Sequence, residues 1–99
     1  MNQLPRLSDK EMLILRLLVA RGEAYGLELV DLSEGRLKRG TVYVTLSRME
    51  DKGYVVSSKE DVNPDAIGPP RRIYVPSGHG ARVLKAWEMA NFVLGQEVA

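Results

Sequence analysis

The sequence predicts a mainly α-helical domain that carries one small β-hairpin, and three observations support this class. Apolar residues recur at helical spacing in three successive segments of the first half of the chain. Two short runs rich in β-branched and aromatic residues follow, separated by a stretch with three prolines. A last segment of helical periodicity comes after them. The 99 residues suffice for one compact unit, which we divide into a domain over residues 1–76 and a terminal helix over residues 77–99.

Composition excludes several classes of function. The chain has no cysteine and one histidine, so neither a thiolate zinc site nor a histidine cluster for a metal is expected. The sequence contains no nucleophile with an adjacent base, no paired-carboxylate motif and no phosphate-binding glycine loop, which argues against an enzyme. No apolar run approaches the roughly 18 residues of a membrane span, and no signal peptide is recognisable. We therefore expect a cytoplasmic binding protein without a cofactor.

The first helix is expected over residues 9–21. Ser8-Asp9-Lys10-Glu11 has the spacing of a capping box, in which the serine hydroxyl and the glutamate carboxylate each accept a hydrogen bond from the other residue's amide. Gly22 is a suitable stop. Apolar residues cover nearly the whole circumference of this helix, so it must be buried on more than one side.

Two further helices are each predicted from one apolar stripe at i, i+4 and i+7. The second helix ends before Gly35, and the third is expected over residues 40–52 with Gly53 as its stop. The stripe of the second helix consists of Tyr25, Leu29 and Leu32, and that of the third consists of Val42, Leu46 and Met49.

A β-hairpin is predicted next, from strands over residues 54–59 and 71–75. Its tip, from Glu60 to Asp65, is long and acidic. The last helix is expected over residues 81–96 and carries a heptad-like seam. Because its apolar arc is wider than one small core can cover, we expect it to meet the first helix and a second copy of the chain in a two-fold dimer. The residues expected at that interface are Leu13, Leu17, Leu84, Trp87, Asn91 and Leu94. Asn91 either fixes the pairing register of two helices or lies at the edge of the seam and binds water.

The order of three helices, a hairpin and a last helix is that of the winged helix-turn-helix, in which the third helix enters the DNA major groove. The segment over residues 36–52 holds five basic and two acidic residues, a net charge of +3, which suits contact with phosphate. Hydroxyl, methyl and guanidinium groups on the outward face match the groups that base edges offer. The residues expected to contact double-stranded DNA are Lys38, Arg39, Thr41, Val44, Thr45, Arg48 and, from the wing, Arg71 and Arg72.

Two alternatives remain at this point. Arg71 and Arg72 are also suited to protecting a strand edge from aggregation, and the acidic tip can hold them away from DNA. A winged-helix module that binds another protein and never touches DNA has the same element order, and the +3 segment argues against it only weakly.

Four motifs follow one another along the chain: Tyr25-Gly26-x-Glu28-Leu29; Gly40-Thr41-Val42-Tyr43-x-x-Leu46-x-Arg48-Met49-Glu50-x-x-Gly53-Tyr54-Val55; Arg72-x-Tyr74; and Ser77-x-x-Gly80-x-x-x-Leu84. Together they resemble the PadR family of bacterial and archaeal transcriptional regulators, in its short branch with a single helix after the wing. The chain departs from the family pattern at Val44, where proline is frequent, and at Ser77, where threonine is usual.

The resemblance implies a dimeric winged-helix DNA-binding protein, usually a repressor, that dimerises through its first and last helices. It adds Gly40 and Tyr43 to the DNA-contacting set, with the tyrosine approaching a phosphate. Some relatives bind flat aromatic effectors, which implies a small aromatic ligand at the dimer interface near Trp87.

Overall fold

The computed structural model describes residues 4–60 and 71–98, with side chains as far as residue 92 in the last helix. Within these ranges, four helices pack with a small antiparallel sheet, which confirms the predicted class. The elements are α1 (Asp9–Arg21), β1 (Ala24–Tyr25), α2 (Gly26–Leu32), α3 (Arg39–Asp51), β2 (Val55–Lys59), β3 (Arg72–Pro76) and α4 (Gly78–Val98).

Helix α1 has the predicted bounds and lies at the centre of the core. The capping box forms, since the Glu11 amide donates to Ser8 Oγ at 3.2 Å and the Ser8 amide donates to Glu11 Oε1 at 2.9 Å. The helix packs against α2, α3, α4 and β3, as its broad apolar surface requires. Ile14, Leu15 and Leu18 are fully buried.

The predicted stripe of α2 is wrong at both ends. Tyr25 lies in β1, before the helix, and Leu32 is 38% exposed, so only Leu29 of the three is buried. Because residues 24 and 25 pair with β3 in an extended conformation, the helix begins only at Gly26 and buries a different face. Ser33 follows on the buried side, where its hydroxyl donates to the carbonyl of Val30 and accepts from the amide of Leu37.

The sheet has the order β1-β3-β2, with both pairs antiparallel. Strands β2 and β3 form the predicted hairpin in a register that places Ser57 opposite Tyr74. The third strand was not predicted, because two residues are too short to show an alternating pattern. The greater part of the acidic tip lies outside the described residues.

Helix α4 begins at Gly78, three residues before the predicted start. The Ser77 hydroxyl accepts from the amide of Gly80 at 2.9 Å and donates to the carbonyl of Gly53, so it caps the helix and ties it to the end of α3. Gly80 then lies directly against the backbone of Tyr54. No helix in the described ranges is long and apolar enough to cross a membrane.

Gly80→Ala is expected to destabilise the protein. The added Cβ would overlap the carbonyl oxygen of Tyr54 and lie 2.9 Å from its carbonyl carbon, and forcing volume into a packed site costs about 1–3 kcal/mol. Gly40→Ala is the control, because a Cβ there meets nothing within 4 Å. Urea unfolding should show a lower free energy of unfolding for the first variant only, and equal stability of the two would contradict this account.

Candidate nucleic-acid interface

Helix α3 has one buried face and, opposite it, an exposed face, which carries Thr41, Val44, Thr45 and Arg48 and is called the open face below. Val42, Leu46 and Met49 are at most 1% exposed, as their spacing predicts. Val44 on the opposite side is 53% exposed. The helix begins one residue before the predicted start, at Arg39, after Lys38 in extended conformation. The other exposed residues of the proposed DNA-contacting set in this region are Lys38, Arg39, Gly40, Thr41, Tyr43 and Arg48, while Thr45 is partly exposed.

The hydroxyls on the open face are oriented by the helix itself. Thr45 Oγ1 donates to the carbonyl of Thr41 at 3.2 Å, and Thr41 Oγ1 donates to that of Lys38 at 3.5 Å. Each oxygen therefore keeps its acceptor capacity for an outside donor. Amino groups on base edges are donors of that kind.

Tyr43 is positioned by the absence of a side chain at Gly26. A Cβ on Gly26 would lie 2.6 Å from Cε1 of the tyrosine ring. The ring thus rests on the start of α2 while the residue remains 47% exposed. This contact gives a physical reason for the glycine in the Tyr25-Gly26 motif.

One groove flanks α3 on the side of α1. It has a volume of about 460 Å³ and lies between the start of α1 and the open face of α3. Arg6 and Lys10 contribute to it from the α1 side, and Arg48 and Lys52 from the α3 side. Sequence reasoning missed Arg6 and Lys10, because only the packing of α1 against α3 brings them to this place and no local pattern signals it.

The floor of this groove contains an ion pair. Lys52 Nζ donates to Glu11 Oε2 at 2.8 Å and to Oε1 at 3.1 Å, and Glu11 is 4% exposed. Burial raises the pKa of the Glu11 carboxyl. The hydrogen bonds and the charge of Lys52, together with the hydrogen bonds of Ser8, outweigh this effect, so the pKa lies below its ordinary value. Lys52, a basic residue of the +3 segment, is thus paired with a carboxylate of its own chain.

A second groove, of about 410 Å³, flanks α3 on the side of the wing. Arg71 stands here with its guanidinium 4.0 Å from the centre of the Tyr25 ring and its Nε 3.4 Å from Glu60 Oε2. The Tyr25 hydroxyl donates to Glu60 Oε1 at 2.9 Å. That hydrogen bond raises the pKa of Tyr25 and, together with Arg71, lowers the pKa of Glu60.

Arg72 is also engaged within the chain. Its Nη1 donates to Ser57 Oγ at 2.9 Å, and the serine hydroxyl donates to Glu50 Oε2 at 2.8 Å. Glu28 and Asp31 line the same groove. Arg71 therefore contacts a carboxylate of its own chain directly, whereas Arg72 is connected to Glu50 through the Ser57 hydroxyl.

The proposed dimer residues occupy different surroundings. Leu84 is buried in the core of the single chain, at 5% exposure, and offers little surface to a partner. Leu13, Leu17 and Trp87 pack partly on that core, and the Trp87 indole donates to the carbonyl of Pro5 at 2.8 Å. Asn91 is exposed, and the side chain of Leu94 lies outside the described residues. Among the side chains of α4 that are described, as far as residue 92, Met89 and Phe92 are large apolar groups with 60% and 65% exposure.

A three-helix unit with an open third helix, followed by a two-stranded wing, defines a winged-helix protein of the class that reads DNA. The chain belongs to the PadR-like family of transcriptional regulators, whose family model matches residues 14–86. This membership confirms the resemblance and the expectation that the chain is not an enzyme.

Solved structures of the family have the same fold. A PadR-like transcription factor from Bacteroides fragilis is 27% identical, with a TM-score of 0.76 over 90% of this chain and 85% of that one. A PadR family regulator from Eggerthella lenta is 31% identical, with a TM-score of 0.71 over 88% and 75%. One from Clostridium difficile is 28% identical, with a TM-score of 0.65 over 89% and 96%. Among curated proteins no sequence matches.

Lys52→Gln is expected to lower the free energy of unfolding near neutral pH by about 1–2 kcal/mol, because Glu11 stays buried without its cation. The figure is below that of a fully buried pair, since the Lys52 side chain is 37% exposed. The lowered pKa of Glu11 means that the pair stabilises the fold above the ordinary carboxyl pKa of 4.5 and loses this effect as pH falls through the lowered value.

Urea unfolding at several pH values checks this expectation. The difference between the wild type and Lys52→Gln should shrink in acid. Lys10→Gln is the control, because among the described residues Lys10 has no ion pair to lose. A difference that is the same at every pH would contradict the assignment to Glu11.

Proposed function

We propose that this protein is a sequence-specific, double-stranded DNA-binding regulator of transcription that acts in the cytoplasm as a homodimeric repressor on a pseudo-palindromic operator. The observation that carries the proposal is the open face of α3, where Val44 is 53% exposed beside exposed hydroxyl and cationic side chains. Family membership supports it, since the structural neighbours are named as transcription factors and regulators.

The open face supplies one group for each kind of contact that a duplex offers. Val44 suits the methyl group of thymine, and Arg48 suits the paired acceptors of guanine or a backbone oxygen. Thr41 and Thr45 suit amino groups on base edges. Lys38 and Arg39 precede these residues at the start of the helix, where their charges favour phosphates. Tyr43, held against α2, adds a phenol that suits a phosphate oxygen.

Two such helices are required to read a pseudo-palindrome. We propose that α1 and α4 of two copies pair about a two-fold axis, because α4 leaves Met89 and Phe92 largely exposed. The half-sites would then lie about one helical turn, roughly 34–36 Å, apart. A flat aromatic effector beside Trp87 at that interface remains part of the proposal, and its binding would change the relative position of the two reading helices.

Selection of bound duplexes from a random pool tests DNA binding, symmetry and half-site spacing together. Affinity for the selected duplex should fall steeply with salt, because each neutralised phosphate contributes about 0.9 to the logarithmic slope. Failure to bind any duplex at low salt would overturn the proposal and favour a module that binds another protein.

Arg39→Ala and Val44→Ala are expected to have different effects. Removing the Arg39 charge should weaken binding to all duplexes alike and reduce the salt slope by about one unit. Removing the Val44 methyl groups should change which base pair is preferred and leave the slope intact, because no charge is lost. Equal effects on slope and preference in both variants would show that the two roles are wrongly assigned.

Sedimentation should show a dimer at micromolar concentration. Phe92→Glu is expected to shift the protein toward monomer, because a carboxylate would be forced into an apolar interface. Leu27→Glu is the matched control, since Leu27 is 40% exposed on α2 and lines the groove on the side of the wing. A monomeric wild type, or equal dissociation in both variants, would rule out pairing through α4.

A further inference from the structure

The two grooves beside α3 differ in whether their cations have partners. In the groove beside α1, the described residues form no ion pair with Arg6, Lys10 or Arg48. Glu11, the carboxylate of that groove, is 4% exposed and is bonded to Lys52 and to the Ser8 amide. This flank therefore presents three cations to solvent, and the Glu11 carboxylate of the groove is neutralised by Lys52.

On the wing flank, each of the two arginines has a close acidic or hydroxyl partner. Arg71 lies 3.4 Å from Glu60, and Arg72 is bonded to the serine that donates to Glu50. Glu28 also lies in this groove, although its carboxylate is bonded to Arg21 and to the Tyr25 amide. A phosphate on this flank would have to compete with the Glu60 carboxylate for the guanidinium of Arg71, and with the Ser57 hydroxyl for that of Arg72.

A helix in the major groove has a phosphate backbone on each side of it. Phosphate contacts contribute to affinity through the counterions that they release, so a cation already paired within the protein contributes less. From the two flanks we infer that the main phosphate contact outside α3 is made by Arg6 and Lys10 at the start of α1, and that the wing arginines contribute less. The inference rests on the proposed function, because it requires that α3 lies in a duplex.

Side chains carry this contact, rather than the amides of the helix end. The Ser8 hydroxyl already accepts from the Glu11 amide, and the first turn of α1 also carries Asp9 and Glu11. Arg6 precedes the helix and Lys10 lies in its first turn, and both line the groove that Thr41 and Arg48 line from α3. The Arg6 carbonyl accepts from the Tyr54 hydroxyl at 3.2 Å, which fixes the backbone of this segment against the core.

The test compares three double variants that each remove two positive charges. Arg6→Gln with Lys10→Gln changes the α1 flank, Arg71→Gln with Arg72→Gln changes the wing, and Arg82→Gln with Lys85→Gln is the control on α4. Affinity for the selected duplex is measured at several salt concentrations. The α1 variant should lose nearly two units of salt slope and roughly tenfold or more in affinity at fixed salt, the wing variant less than one unit, and the control none.

A loss in the wing variant that equals or exceeds the loss in the α1 variant would overturn the inference. So would an unchanged slope in the α1 variant. Lys10→Gln alone, which removes no ion pair of the described residues, guards against a folding defect and should lose about one unit of slope. If the wild type binds DNA and these results fail, only the inference falls, whereas a wild type that binds no duplex overturns the proposed function as well.

Glu60→Gln tests the physical cause. It removes the carboxylate that faces Arg71, so the salt slope of DNA binding should increase toward one further unit as the guanidinium becomes available. Arg71→Gln added to Glu60→Gln should cancel that increase. An unchanged slope in Glu60→Gln would show that the ion pair is not what limits the wing.

Discussion

Burial of one face of α3 is the constraint on which the rest of the structure depends. Val42, Leu46 and Met49 have almost no accessible surface, and each side chain of this size contributes about 1.5–3 kcal/mol when buried. The helical period then determines the direction in which the residues between them point. Val44 and Arg48 must face outward, and the neighbours that seal α3, namely α1, α2 and β2, become the walls on either side of the exposed face.

Glu11 links this arrangement to α1. In an isolated capping box the glutamate needs only the serine amide, and its carboxylate can remain in water. Here the carboxylate is buried and also requires Lys52, so the start of α1 is fixed beside the end of α3. The same carboxylate thus stabilises a local turn and determines which side chains stand next to the open face. The charge of Lys52 is used within the chain, although its position in the sequence resembles that of a DNA contact.

The elements that the sequence predicts well are those with local causes. The capping box and Gly22 determine α1, and spacing alone identifies the buried stripe of α3 and the outward position of Val44. The start of α4 was predicted three residues too late, because two glycines near its beginning read as a loop, while Ser77 in fact caps the helix. Strand β1 was missed, and with it the buried face of α2, because two residues acquire an extended conformation only by pairing with β3.

The site was predicted in part for the same reason. Residues of α3 are consecutive, so one helical period assigns them to one face, and their exposure agrees with that assignment. Arg6 and Lys10 are distant from α3 in sequence, and only tertiary packing shows that they line its groove. One partner of Arg71 was among the alternatives that the sequence left open, since Glu60 begins the acidic tip that can hold the wing arginines away from DNA. The contact with Tyr25 has no local signal, because it depends on the pairing of β1 with β3.

Charge counts along the sequence are therefore a poor measure of the surface that a duplex would meet. The whole chain has a net charge of only +1, yet the carboxylates are not spread evenly over it. Glu50 and Glu60 stand with the wing arginines, whereas Glu11, which lines the groove beside α1, is buried. Because a screened field falls off within about 8–10 Å at physiological salt, a phosphate on one flank of α3 is influenced little by the acids on the other. A nearly neutral protein can in this way present one cationic wall, and the position of its acids, rather than the number of its bases, determines which wall that is.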